Sequence, residues 1–302
     1  MGSTSPPFVS RFISAQDGLK LHMRDYGSPL DRGLPVVCLP GLSRNAADFA
    51  PLAEALAAGA AGQRRRVVAL DYRGRGLSEF DPDWRHYDLG IENADIDTML
   101  TAAEVHAAIF VGTSRGGLHV MSLAARRPGL LLGAVLNDIG PVIEPQGFTR
   151  IRHYVRHMAA PRSLADAIDC VKRIMSAQFT ALSEADFEAH ARATFQKADG
   201  SFGLTFDPKL VKSLDRLDLD EPLPATWALF DALAGIPLLV MRGANSDVLS
   251  PATLIEMACR HKNCATFVVE GQGHAPLLYD KGSIARIAEF VGNVEAEARV
   301  AA

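Results

Sequence analysis

The stretch FVGTSRGG, from Phe110 to Gly117, sets one hydroxyl residue, Ser114, among three glycines just after a short apolar run. A strand ending at Val111 and a helix beginning near Arg115 put Gly112-Thr113-Ser114-Arg115-Gly116 at a strand–turn–helix junction. In that context G-x-S-x-G holds a serine at the tip of a sharp bend, with its Oγ pointing off the sheet into open space. Side chains two residues before and after the serine would collide with neighbouring elements, so Gly112 and Gly116 stand there, and Gly117 lets the helix pack closely. The helix N-terminus brings N–H groups and partial positive charge near the hydroxyl, which suits a developing oxyanion. The chemistry this points to is nucleophilic attack on an acyl carbon.

A serine hydroxyl is a poor nucleophile unless a base takes its proton. Among nine histidines, His274 in EGQGHAPLLYD follows a late strand, sits in a turn-rich loop and precedes the last helix. That places it at the carboxyl edge of the sheet, the edge that carries Ser114. His119 lies on the helix after Ser114 and reads as a packing residue, His153, His157 and His190 fall in a helical stretch, and His22, His86, His106 and His261 lack such a setting. The base needs an orienting carboxylate, and two follow strands: Asp247 in VMRGANSDVLSP and Asp138 in AVLNDIGP. Either preserves the chain order Ser, Asp, His. Asp247 is preferred, because small residues in its loop let the carboxylate reach back over the sheet. Asp138 would then bond the backbone where the chain leaves the core. The expected oxyanion donors are the backbone N–H of Arg115, next to the nucleophile, and that of Leu42, in the loop after PVVCLP. Gly41 lets that loop approach closely.

These groups need a frame that brings them to one edge. FVSRFIS and LKLHMRDYG flank Asp17-Gly18, a hairpin signal. PVVCLP, RVVALD, AAIFVG, GAVLND, IPLLVMRG and ATFVVEG are short apolar strands, and between most of them lie segments with helical periodicity. Strands apolar on both faces and alternating with helices mean an α/β fold, a mostly parallel sheet with helices on both faces and the hairpin at one edge. The alternation breaks once. FTRIRHYVRHMA, SLADAIDCVKRIM, SEADFEAHARATFQ and PKLVKSLDRL read as helices with no strand between. The expected division is a core of residues 1–142 and 223–302 and a helical insertion at 143–222.

The chain has 302 residues, 48% of them hydrophobic and 22% charged, enough for one sizeable core. A formal net charge of −4 argues against nucleic acid or an anionic membrane as the partner. No apolar run approaches the roughly 18 residues of a membrane span. MGSTSPPF lacks the pattern of a secretory signal and reads as a leader. Cys38, Cys170, Cys259 and Cys264 form no CxxC pair or metal-type spacing, and are expected to be reduced thiols of a cytoplasmic protein. Gly74-x-Gly76 in DYRGRGLS lacks the third glycine of a nucleotide loop and reads as a turn, with Arg73 and Arg75 structural or solvent-facing; Arg64, Arg65 and Arg66 read as a solvated helix end.

In LPGLSRN, DYRGRGLS, VGTSRGG, RGANSD and GQGHAP, in that order, the chain resembles the α/β-hydrolase superfamily over nearly its whole length outside the insertion. The resemblance implies Ser114 as nucleophile, Asp247 as acid, His274 as base, and Leu42 and Arg115 as oxyanion-hole donors. It makes the insertion a cap over the active site. Where many members carry His-Gly before the oxyanion loop, this chain has Pro40-Gly41. A serine nucleophile argues against epoxide hydrolases and haloalkane dehalogenases, which use a carboxylate there. The expected function is a serine-dependent esterase acting on small-molecule esters, small to medium and largely apolar, with no cofactor or metal. The alternatives are a lactonase or carbon–carbon bond hydrolase with the same triad, or a low-turnover ligand-binding protein. Phe148, Ile151, Met158, Met175, Phe179 and Phe206 supply apolar character in the cap, and Arg152, Arg156 and Lys172 are the residues there that could meet a carboxylate. Oligomeric state is not legible.

Overall fold

The computed structural model describes residues 7–216 and 223–301. The leader and the expected end of the insertion at residue 222 lie outside the described residues.

Eight strands form one sheet in the order β1-β2-β4-β3-β5-β6-β7-β8. The hairpin expected around Asp17-Gly18 is β1 (Phe8–Ser14) paired antiparallel with β2 (Lys20–Tyr26), and β2 pairs antiparallel with β4 (Val67–Asp71). Every other pairing is parallel, through β3 (Val36–Leu39), β5 (Ala108–Thr113), β6 (Leu131–Asn137), β7 (Leu238–Gly243) and β8 (Cys264–Val269). β3, β4, β5 and β7 are buried along their whole length, which is why they read as unbroken apolar runs. Side-chain alternation sorts them into two cores. Val37, Val68 and Phe110 enter the cluster on one face, and Val36, Val67 and Ile109 enter the other.

Helices close both faces: α1 (Ala50–Ala58), α2 (Leu89–Ala102), α3 (Arg115–Arg126), α9 (Pro251–Arg260) and α10 (Lys281–Ala301). Between β6 and β7 the chain runs through α4 (Pro145–His157), α5 (Leu164–Met175), α6 (Glu184–Phe195) and α7 (Leu210–Leu214). Ser163 and Ser183 cap α5 and α6, each accepting the N–H three residues on. Cys170, Val171, Met175, Phe187 and Phe195 belong to a third apolar cluster, joined by Leu277 of the loop after β8. The Thr226 N–H donates to the Pro141 carbonyl at 2.7 Å, so the chain leaves and rejoins the sheet region at adjacent points. A short helix, α8 (Trp227–Asp231), follows at once; five residues give too few turns for periodicity to reveal it.

The expectation of a solvated helix end fails for Arg65 and Arg66, and of the two readings of Arg73 and Arg75 the structural one holds. Arg65 is fully buried and pairs with Glu295 of α10 at 3.0 Å, and Arg66 forks the carboxylate of Asp25 at 2.8 Å through Nε and Nη2. Arg73 and Arg75, far from solvent, are 2% and 0% exposed. Each buried guanidinium meets carboxylates or carbonyls that lie far away in sequence, which a local charge pattern cannot reveal. All four cysteines are free thiols. No helix among the described residues is long and apolar enough to cross a membrane.

Candidate active site

Ser114 stands between the last residue of β5 and the first of α3, at φ 51° and ψ −115°. A non-glycine residue there is strained. The surroundings compel it. The Ser114 N–H donates to Asn137 O at 3.0 Å, its carbonyl accepts from the Gly117 N–H at 2.8 Å, and the helix sits so close that a Cβ on Gly116 would lie 2.0 Å from Leu39 O. A Cβ on Gly112 would lie 2.6 Å from the Gly116 carbonyl. The bend that exposes the hydroxyl therefore depends on both glycines flanking it.

Ser114 Oγ lies 2.8 Å from His274 Nε2. On the far side of the ring, His274 Nδ1 lies 2.8 Å from Asp138 Oδ2. A carboxylate only accepts, so the ring proton belongs on Nδ1 and Nε2 is free to take the proton of Ser114. The Asp138 side chain is fully buried, sits at φ 59°, and is fixed by the Gly243 N–H on Oδ1 at 2.8 Å and the Ser246 hydroxyl on Oδ2 at 2.6 Å.

Asp247 does not meet His274, contrary to the sequence-based preference. Its carboxylate receives the Arg150 fork from α4, Nε at 2.6 Å and Nη2 at 2.8 Å. Burial would push the Asp247 carboxyl up, but the Arg150 contact holds it below its ordinary value. The tight turn after β7, with Ser246 N–H donating to Gly243 O at 2.9 Å, explains the difference. It aims Ser246 at Asp138 and leaves Asp247 facing α4, where a Cβ on Gly147 would stand 2.3 Å from the Asp247 carbonyl. The signal for Asp138 was present in Asn137-Asp138-Ile139-Gly140: aspartate tolerates the left-handed backbone that turns a carboxylate back over a strand end.

Leu42 and Arg115 border the same cavity as Ser114 and His274. Among the described residues, neither backbone N–H donates to a protein acceptor. Beneath them lies a buried charge network absent from the sequence reading. Arg75 Nε donates to Leu42 O at 2.9 Å, and Arg75 Nη1 lies 2.7 Å from Glu92 Oε1. Glu92 Oε2 in turn meets Arg115 Nε at 2.6 Å and His119 Nε2 at 3.0 Å. Burial would raise the Glu92 carboxyl, but the charges of Arg115 and Arg75 and the His119 contact hold it well below the usual carboxylate range. Arg75 and Glu92 thus tie the two candidate donor residues to one anchor. The visible hint was an arginine between two glycines at φ 72° and 58°, a turn that points its middle side chain inward.

The core lines the floor of the cavity through Ser114 and His274, and the insertion lines it through Phe148, Ile151, Met158, Met175 and Phe179; Phe206 lies elsewhere in the core. Arg156 pairs with Asp215 and Lys172 with Glu184, and neither these two nor Arg152 lines the cavity. Only one cluster among the described residues has metal-like spacing, Asp17, Asp81 and His86, and the Arg73 guanidinium already sits on it, 2.9 Å from Asp17 and 2.6 Å from Asp81.

A sheet of this order, a serine on the bend after β5 and a histidine after β8 define a class. The chain belongs to the alpha/beta hydrolase family, whose sequence profile matches residues 36–286. It is 32% identical over 279 residues to the 3-hydroxybutyrate-oligomer hydrolase of Cupriavidus necator, covering 90% of this chain and 92% of that one. It is 25% identical over 270 residues to the 2-(acetamidomethylene)succinate hydrolase of Mesorhizobium japonicum, covering 89% and 90%. The crystal structure of an alpha/beta hydrolase from Novosphingobium aromaticivorans superposes with a TM-score of 0.82 at 32% identity, over 95% of this chain and 99% of that one.

Proposed function

We propose that this protein is a serine esterase that cleaves small to medium carboxylic esters through an acyl-enzyme on Ser114, with His274 as base and Asp138 as the carboxylate that orients it. The observation that carries the proposal is the unbroken relay from Ser114 Oγ to His274 to Asp138, with both contacts at 2.8 Å, at the floor of a roofed cavity. As Ser114 Oγ bonds to the acyl carbon, its proton passes to His274 Nε2, and the carbonyl oxygen takes up negative charge facing the Leu42 and Arg115 N–H groups. Collapse breaks the bond to the alcohol oxygen, which takes the proton from Nε2. Water then gives a proton to His274 as its oxygen bonds to the acyl carbon, and collapse breaks the bond to Ser114 Oγ, which takes that proton from Nε2 as the acid leaves. The insertion, residues 143–222 by its expected bounds, acts as the cap that selects the substrate. The likeness to the Cupriavidus oligomer hydrolase supports an ester as the scissile bond.

The test is turnover of short-chain p-nitrophenyl esters, of lactones and of vinylogous 1,5-diketones, by the wild type and Ser114→Ala. Esters turned over fastest, with loss in Ser114→Ala, is the expected result. Turnover of lactones or diketones without esters would replace the esterase with a lactonase or carbon–carbon bond hydrolase on the same relay. Tight binding with no turnover of any would make the protein a receptor.

A further inference from the structure

Every charged side chain that lines the cavity is basic. Arg44, Arg115 and Arg150 face it, joined by His190 and His274, and its described lining contains no aspartate or glutamate. The counter-ions Asp48, Glu92 and Asp247 stand behind the wall. An otherwise apolar cavity with this asymmetry favours a substrate that brings its own negative charge.

The three arginines are not equivalent. Arg115, whose Nε meets Glu92 at 2.6 Å, is held on the buried anchor that Glu92 forms with Arg75 and His119, and Arg150 spends Nε and Nη2 on Asp247 at 2.6 and 2.8 Å. Arg44 approaches Asp48 through Nε. That leaves its Nη1–Nη2 end facing other groups, and the contacts there are long: Nη1 to Ala275 O at 3.5 Å and Nη2 to His190 Nδ1 at 3.3 Å. The His190 nitrogen facing a guanidinium can only accept, so this imidazole is neutral; burial and the charge of Arg44 hold its pKa well below the ordinary value. Burial pushes the Asp48 carboxyl up, and the Arg44 charge beside it works against that shift. The free end of a guanidinium matches a carboxylate in two parallel hydrogen bonds. Arg44 is also close to the reacting atoms: the point where a Gly41 Cβ would stand is 3.3 Å from Arg44 Cδ and 3.8 Å from Ser114 Cβ.

We infer that the substrate is an ester carrying a free carboxylate a few bonds from the scissile carbonyl, and that the Arg44 guanidinium receives that carboxylate. The inference rests on the esterase reading of Ser114 and specifies its substrate class. It replaces Arg152, Arg156 and Lys172 as the candidate anion contacts.

The experiment compares the monoethyl esters of four- to six-carbon dicarboxylic acids with the ethyl esters of the corresponding monocarboxylic acids, by acid release in a pH-stat. In the wild type kcat/KM should favour the anionic ester at least about tenfold, mainly through KM. Arg44→Met should reduce that ratio about tenfold or more, and Arg44→Lys should keep part of it. A wild-type preference for the neutral ester, or a ratio unchanged in Arg44→Met, overturns the inference. If the wild type hydrolyses neither ester, the esterase reading fails, and calorimetry of glutarate with Ser114→Ala decides the subsite alone. Binding that weakens at least about tenfold on adding Arg44→Met upholds it, and no binding, or no weakening, overturns it.

Discussion

Two serine–histidine–aspartate relays occur among the described residues, and the one with the shorter contacts borders no comparable cavity. Ser10 Oγ lies 2.6 Å from His22 Nε2, and His22 Nδ1 lies 2.6 Å from Asp71 Oδ2. In the Ser114 relay both distances are 2.8 Å. The differences lie around the relays. Ser10 is an exposed residue of the edge strand β1, with no helix N-terminus behind it and no left-handed backbone. The Phe12 ring packs against His22 with centroids 4.9 Å apart. Asp71 also accepts the Ala46 N–H at 2.6 Å and the Leu77 N–H at 3.0 Å, so it holds together the loops after β3 and β4. Ser114 has what Ser10 lacks: the unpaired Leu42 and Arg115 N–H groups bordering the same cavity, residues of the insertion lining that cavity, and a left-handed backbone bend. Hydrogen-bond order alone does not make a nucleophile; preorganised donors at the oxyanion position and a place for the substrate do.

The sharpest way to break this contrast is to remove each serine. Ser114→Ala should lower kcat by about 10⁴-fold or more, while Ser10→Ala should stay within about twofold of the wild type. A fluorophosphonate probe followed by peptide mass spectrometry should find its adduct on Ser114 and leave Ser10 unmodified. A modified Ser10 would show that the shorter relay activates its hydroxyl after all.

The next test separates the two carboxylates near His274. Asp138→Asn puts an amide donor opposite Nδ1 and favours the wrong ring tautomer, so kcat should fall by about 10³- to 10⁴-fold. Asp247→Asn should cost less than about tenfold, expressed mostly in KM, because it loosens the contact with α4 rather than the relay. A larger kcat loss for Asp247→Asn would return the acid to the loop after β7.

The same particulars explain what the sequence could and could not reveal. The parallel strands were legible because burial on both faces leaves them uniformly apolar, and Ser114 because its bend demands glycines at fixed offsets. His274 was legible by its loop after the last strand. The choice between Asp138 and Asp247 was not, since it depends on which way a four-residue turn aims two neighbouring side chains, Ser246 and Asp247. Arg75, Glu92 and Arg44 were misread or unread for a related reason. Apart from Asp48, four residues from Arg44, the partners described above lie 17 to 231 residues away, and a charged residue in a sequence looks solvated until the fold buries it.

Among the variants expected to lower kcat itself, the smallest effect belongs to the anchor beneath Leu42 and Arg115, the feature with no counterpart beside Ser10. Glu92→Gln keeps the shape but removes the charge that Arg75 and Arg115 share. The Leu42 and Arg115 amides should then lose some of their fixed orientation, and kcat should fall about tenfold with little change in KM. The stability change carries a distinct pH signature. Glu92 is held below its ordinary value of 4.5, so its contribution is fully present above that pH and is lost as pH falls toward its lower folded value. The variant should therefore be less stable than the wild type by about 3 kcal/mol at pH 7, and the gap should close as the pH is taken below 4.5. Urea unfolding across that range measures the gap. A gap independent of pH would mean that Glu92 acts through packing and not through its charge.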